Sequence, residues 1–158
     1  MRLGKLYNKY KDYVLFNKNL LISGIFAFFA GAIFTQFYSE LSSDSLSNSI
    51  VTLIFEYCIY IPIFSYLFYL DNKIRYYHLE TGKKNYNRIR TDIKKLITAF
   101  AISETIYSVS KVVLHYQLLI LGFIEPYQTS MIASTIAWII FLLIINLSVK
   151  AVHLFKSK

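Results

Sequence analysis

The stretch Leu96 to Leu121 reads LITAFAISETIYSVSKVVLHYQLLIL and carries three ionisable side chains within an apolar segment. At about 1.5 Å per residue, a helix over this stretch crosses a bilayer core of about 30 Å with some tilt. Glu104, Lys111 and His115 share one face of that helix, with Ser108 between them. Charged groups at membrane depth are costly unless they are paired or hydrated. We therefore expect this face to meet other protein or a wet cavity.

The whole chain is apolar and divides into four long hydrophobic blocks. It has 158 residues, of which 56% are hydrophobic and 16% charged. A soluble domain has about 45–50% apolar and about 25% charged residues. We therefore predict an all-α, polytopic membrane protein whose four transmembrane helices form two helical hairpins. The predicted segments are an amphipathic segment at 1–18, spans at 19–41, 49–70, 96–121 and 126–149, and a basic loop at 71–95.

Positive charges cluster on one side of this predicted topology. The chain has 17 Lys and Arg against 9 Asp and Glu, a net charge of +8. Apart from Lys111, the basic residues lie before span one, between spans two and three, or after span four. The positive-inside rule then places both termini and the basic loop in the cytoplasm, in a plasma-membrane protein. Such charges indicate contact with anionic membrane lipids, and we expect no nucleic-acid partner.

The chain lacks the residue patterns of common catalytic and metal sites. Its three histidines are scattered, and its single cysteine, Cys58, lies in an apolar run. It contains no His-Glu-x-x-His, no Cys-x-x-Cys and no phosphate-binding glycine loop. We expect no enzymatic activity, no metal and no cofactor.

Counting residues from the outer ends of the spans places Glu56, Lys111 and His115 near the same level, in the outer half of the membrane. Glu56 lies about 9 Å from the outer end of span two, and Lys111 and His115 lie about 16 and about 10 Å from that of span three. We predict that Glu56 neutralises Lys111 or His115, and that Glu104 is too far from Lys111 for tight contact. Three interpretations stay open: a clasp that fixes the bundle, a polar path for a substrate or proton, or a surface buried against another subunit. We call the residues concerned the polar stripe: Glu56, Glu104, Ser108, Lys111 and His115.

Two spans carry small-residue faces, which allow close contact between membrane helices. Span one has Gly24, Ala27 and Gly31, and span four has Ser130, Ala133, Ser134 and Ala137. The helix of span three is expected to begin within 89–95, with Thr91 or Asp92 near its N-cap.

Spans two and four end with related patterns of basic and aromatic residues. Span four ends Asn146-Leu-Ser-Val-Lys150-Ala-Val-His-Leu-Phe155. Span two ends Phe68-Tyr-Leu-Asp-Asn72-Lys73-Ile-Arg75-Tyr-Tyr77, without the leading Asn. These endings resemble the GtrA-like family of small four-span membrane proteins, in which each half tends to end with an Asn, apolar residues, basic residues and an aromatic. The glycine-rich entry usual in that family is replaced by Ala99-Phe-Ala-Ile-Ser.

The resemblance implies a role in moving polyprenyl-phosphate-linked sugars across the membrane for cell-surface polysaccharide. The polar stripe would give the sugar head polar partners in transit. Fixed cations near a headgroup attract it, so the inner basic rim would meet the lipid phosphate. We call these residues the basic rim: Lys73, Arg75, Lys94 and Lys95.

The competing interpretation is a non-catalytic accessory subunit of a larger membrane complex. A small chain with costly charges and small-residue faces is suited to burial against other subunits. Whether the chain acts alone, as a homo-oligomer or within such a complex stays open.

Overall fold

The computed structural model describes residues 2–77 and 82–155, with side chains from Tyr10 onward, and within them the chain is almost entirely helical. The helices are α1 (Arg2–Leu41), α2 (Ser45–Asn72), α3 (Tyr86–Leu121) and α4 (Pro126–Ala151), with a 3₁₀ turn at Lys73–Tyr76. Each α-helix is long and apolar enough to cross a membrane. The prediction of an all-α protein with four helices long and apolar enough to span a membrane is therefore confirmed.

Helix α1 is continuous across the boundary predicted between an amphipathic segment at 1–18 and span one. The chain around this boundary has neither Pro nor Gly to interrupt the helix. Phe16 and Leu20 are 1% and 0% exposed, so the boundary region packs into the bundle.

The basic loop is shorter than predicted because α3 starts earlier. Asn85 caps α3, and its side-chain oxygen accepts a hydrogen bond from the backbone amide of Arg88 at 3.0 Å. The predicted cap at Thr91 or Asp92 is wrong, since both residues lie inside the helix. Asparagine is among the strongest N-cap residues, and its position sets the helix start.

Each helix packs against two others, so that α1, α2, α3 and α4 form a ring. Asn19, near the middle of α1, bonds Asp71 at the C-terminal end of α2, and Thr35, nearer the end of α1, contacts Thr52 in the first third of α2. Because these partners run in opposite order along the chain, α1 and α2 are antiparallel. The ring closes through α1 and α4, where Asn17 and Asn146 exchange amide hydrogen bonds of 2.8 and 2.9 Å.

An aromatic cluster packs the end of the bundle that carries the basic rim. The ring of Phe16 lies with its centroid 5.7 Å from that of Phe64, and 5.8 Å from that of Phe155, both edge to face. Phe100 of α3 stacks obliquely against Phe64 at 5.2 Å. Such geometry suits the charge distribution of aromatic rings, and it ties α1, α2, α3 and the C-terminal segment together.

The predicted small-residue faces lie at helix contacts. A Cβ atom at Gly24 would overlap the indole of Trp138, and one at Gly31 would overlap the carboxyl group of Glu56. On α4, Ala133 and Ala137 are both fully buried. Close approach of α1 to its neighbours therefore depends on the two glycines.

We expect Gly24→Ala to lower the stability of the bundle. The added methyl group collides with Trp138, and overpacking of this kind costs about 1–3 kcal/mol, more than the gain of about 0.5–1 kcal/mol in helix propensity. The measurement is reversible unfolding in mixed micelles. Adding Trp138→Leu to the same chain should recover part of the loss, because the two sites share one contact. Simple addition of the two losses would contradict this packing.

Candidate functional site

A buried ion pair joins α2 to α3. Lys111 Nζ lies 2.9 Å from Glu56 Oε1, and the two side chains are 0% and 3% exposed. The pairing predicted from depth counting is confirmed, with Lys111 rather than His115 as the partner of Glu56.

Hydroxyl groups from α3 and α4 complete the hydrogen bonding of this pair. Lys111 Nζ donates to the Ser130 hydroxyl at 3.1 Å and also to the hydroxyl of Ser134, so all three ammonium protons have acceptors. The Tyr107 hydroxyl donates to Glu56 Oε2 at 3.1 Å. We call these five residues the charge cluster. Because both the ammonium and the carboxylate have hydrogen-bond partners, these bonds offset the free-energy cost of removing the two charges from water.

Helix α1 closes over the charge cluster at Gly31. A Cβ atom at this position would overlap the Glu56 carboxyl group, so only glycine allows α1 to approach without moving that group away from Lys111. All four helices therefore meet at this level of the bundle.

A second polar group, consisting of Tyr57, Glu104 and Ser108, joins α2 to the middle of α3. The Tyr57 hydroxyl donates to Glu104 Oε2 at 2.7 Å and lies 2.8 Å from the Ser108 hydroxyl. Within the part of the chain whose side chains are described, no Lys, Arg or His forms an ion pair with Glu104. Glu104 is thus separate from Lys111, as predicted, and has hydroxyl partners instead.

Two grooves open on the sides of the bundle, one between α1 and α4 and the other between α2 and α3. Both reach the second polar group. The α1–α4 groove, of about 320 Å³, lies between those two helices with α2 and α3 behind it. The α2–α3 groove has a volume of about 690 Å³. Tyr57, Tyr60 and Glu104 line both grooves and form the wall between them.

The α2–α3 groove runs along the helices from the basic rim to the middle of the bundle. Along α3 its lining extends from Ile89 to Ser108, a length of about 28 Å at the helical rise. One leaflet of hydrocarbon is about 15 Å thick, half of the bilayer core. The groove is therefore longer than one leaflet, and its walls are mainly apolar and aromatic side chains.

The basic rim lies beside this groove, adjacent in sequence to the lining residues Tyr76, Ile93 and Leu96, and its four members are in different surroundings. Arg75 pairs with Asp92 at 3.2 Å, and the Lys95 ammonium donates to the backbone oxygen of His153 at 2.7 Å. Lys73 and Lys94 are exposed. The rim thus presents two lysines outward, while the other two members hold the surrounding segments together.

Some residues of the polar stripe line the grooves, and others are buried in the packed interior of the bundle. Glu104 and Ser108 line the α2–α3 groove, and Glu56 lines the α1–α4 groove with its carboxylate held by Lys111. Lys111 and His115 are both 0% exposed and line neither groove. Among the described residues, neither ring nitrogen of His115 has a hydrogen-bond partner. These two residues lie behind the groove walls, where a groove ligand does not reach them.

Sequence reasoning missed the hydroxyl groups that complete both polar groups. Ser130 and Ser134 were assigned only to a small-residue face, although serine can also bond across helices. Tyr57 and Tyr107 are two of 14 tyrosines, so composition does not single them out. The available signal was position, since Tyr57 follows Glu56 directly and Tyr107 precedes Lys111 by one helical turn.

Comparison of this chain with protein-family models, with curated proteins and with solved structures finds no match in any of the three.

We expect Glu56→Gln and Lys111→Met each to destabilise the protein strongly. Each change leaves one buried charge without its partner, a defect that costs about 3–5 kcal/mol. The double variant removes both charges and should lose less than the sum of the single losses. The measurement is the free energy of unfolding of the four proteins in one membrane mimetic. Full additivity would show that the pair is not coupled.

Proposed function

We propose that this chain is a plasma-membrane protein that binds a phosphate-bearing lipid in the α2–α3 groove and moves its polar head across the membrane. The observation that carries the proposal is the extent of this groove, from Tyr76 and Ile93, which are next to basic-rim residues in the sequence, to Glu104 and Ser108. The resemblance to the GtrA-like family points to the same class of substrate, a polyprenyl-phosphate-linked sugar.

In this proposal the helices form two hairpins with both termini in the cytoplasm. Lys18 bonds Asp71, Arg75 pairs with Asp92, and Lys95 contacts His153, so the basic segments meet at one end of the bundle. The positive-inside rule assigns that end to the cytoplasm. The α2–α3 groove then opens beside the cytoplasmic leaflet, where a lipid enters laterally without leaving the membrane.

The groove offers separate partners for the two parts of such a lipid. Apolar and aromatic walls accept a hydrocarbon chain, and the length of about 28 Å suits one longer than a leaflet. Lys73 and Lys94 attract the phosphate, each by about 1 kcal/mol near a membrane surface. A long-chain phospholipid therefore fits the groove better than a small soluble anion does.

The second polar group provides partners for the head near mid-membrane. Lys94 and Glu104 are ten residues apart, about 15 Å along α3, which is half the thickness of the bilayer core. A polar head without hydrogen bonds at this depth loses several kcal/mol. Glu104, Tyr57 and Ser108 replace some of those bonds, so sugar hydroxyls meet acceptors and donors where water is scarce.

We expect the double variant Lys73→Gln/Lys94→Gln to weaken binding of a polyprenyl phosphate about 30-fold, since two contributions of about 1 kcal/mol are lost. The protein is reconstituted in zwitterionic nanodiscs, and the lipid is titrated in. The matched control is Lys11→Gln/Lys150→Gln, which removes the same charge from exposed positions on α1 and α4, outside the groove. Equal weakening in both double variants would show that the basic rim attracts the lipid only non-specifically, and would contradict its role in binding the phosphate.

Blocking the groove should stop movement of the lipid head. Thr105 lines the α2–α3 groove and Thr135 the α1–α4 groove; each is exposed and donates to a carbonyl of its own helix. Thr105→Phe should abolish translocation of a fluorescent polyprenyl phosphate in proteoliposomes, and Thr135→Phe should leave it unchanged. Absence of translocation by the unmodified protein would contradict the proposal and favour the accessory-subunit alternative.

A further inference from the structure

The α1–α4 groove differs in chemistry from the groove assigned to the lipid. Seven of its fifteen lining residues are aromatic, including Trp138 from α4, Tyr57 and Tyr60 from α2, and Phe28 from α1. Its volume of about 320 Å³ is at the lower end of the range of about 300–1,000 Å³ for small-molecule sites. The groove therefore suits a compact ligand.

The lining of this groove carries acidic groups and, among the described residues, no Lys, Arg or His. Two carboxyl groups, those of Glu56 and Glu104, belong to lining residues. Lys111 balances Glu56 from behind the wall, where it is 0% exposed. Glu104 receives a hydrogen bond from Tyr57 and, within the described side chains, has no cationic partner. Glu104 thus brings a carboxyl group without a cationic partner to an aromatic-lined space.

These features select against anions and sugars. An anion would meet no Lys, Arg or His among the described residues that line this groove, whereas Lys73 and Lys94 lie near the α2–α3 groove. A sugar needs a partner for each buried hydroxyl, because an unpaired one costs about 1–3 kcal/mol. The hydroxyls of Tyr107 and Ser134, which line this groove and not the α2–α3 groove, are already engaged with Glu56. The remaining surface is mainly apolar and suits a ligand with few hydrogen-bonding groups.

We infer that the α1–α4 groove binds a small hydrophobic organic cation, with Glu104 as its counter-ion and the rings of Trp138, Tyr57 and Tyr60 around its charge. Aromatic rings attract cations through their quadrupoles, most strongly when the site is dry. The groove opens sideways between Phe29 and Ile139, which are 56% and 59% exposed, so the ligand enters from the lipid phase. This site shares Tyr57, Tyr60 and Glu104 with the α2–α3 groove, and binding of the cation does not require lipid transport.

The test uses the full-length protein in nanodiscs and the fluorescence of Trp138, the single tryptophan of the chain. Benzyltrimethylammonium is titrated against neopentylbenzene, its neutral isostere, in which carbon replaces the charged nitrogen. We expect a saturable change with the ammonium compound and binding at least tenfold weaker with the neutral one. Equal responses to both compounds would show simple partitioning of an apolar molecule and overturn the inference.

Four variants locate the site. Glu104→Gln should weaken ammonium binding at least tenfold, because the amide oxygen still accepts from Tyr57 but the charge is gone. Glu40→Gln, an exposed change on α1 outside both grooves, is its control and should bind like the unmodified protein.

Thr135→Phe should abolish ammonium binding, and Thr105→Phe should retain it. The opposite result for these two threonine variants would place the cation in the α2–α3 groove and overturn the inference.

Discussion

The ion pair of Glu56 and Lys111 is the constraint on which the rest of the bundle depends. Two charges removed from water lose several kcal/mol of solvation each, and the pair is tolerated only where further hydrogen bonds satisfy it. Those bonds come from Tyr107 on α3 and from Ser130 and Ser134 on α4. Helix α1 reaches the same level only because Gly31 has no side chain. One electrostatic requirement thus fixes the relative positions of four helices.

This arrangement leaves the second polar group available for ligands. Glu104, Tyr57 and Ser108 bond to one another and lie at the wall between two grooves. The α2–α3 groove combines this group with a basic rim, and the α1–α4 groove combines it with aromatic rings. A clasp and a path are therefore not exclusive interpretations of the polar stripe. The clasp comprises Glu56 and Lys111, and the path that we propose passes Glu104 and Ser108.

Local rules of membrane sequences predicted the helices and one contact, but not the grooves. Depth along a helix follows from counting residues, so Glu56 could be matched with Lys111 or His115 without coordinates, and the structure shows that the partner is Lys111. The start of α3 was missed because Asn85 competes with Asp92 as a cap, and Asp92 instead pairs with Arg75 in the folded bundle. His115 shares a helical face with Ser108, yet one is fully buried and the other lines a groove. That difference in burial depends on which neighbouring helix covers each turn of α3. The spacing of residues within α3 does not specify this packing.

The central claim is that the α2–α3 groove holds a phosphate-bearing lipid. Native mass spectrometry of the protein, extracted gently from its own membranes, tests it most directly. The account predicts that a polyprenyl phosphate or a lipid-linked sugar is retained in stoichiometric amount, with no stoichiometric partner protein. Stoichiometric partner subunits accompanied only by ordinary membrane lipid would contradict it and identify the chain as a structural component of a larger complex.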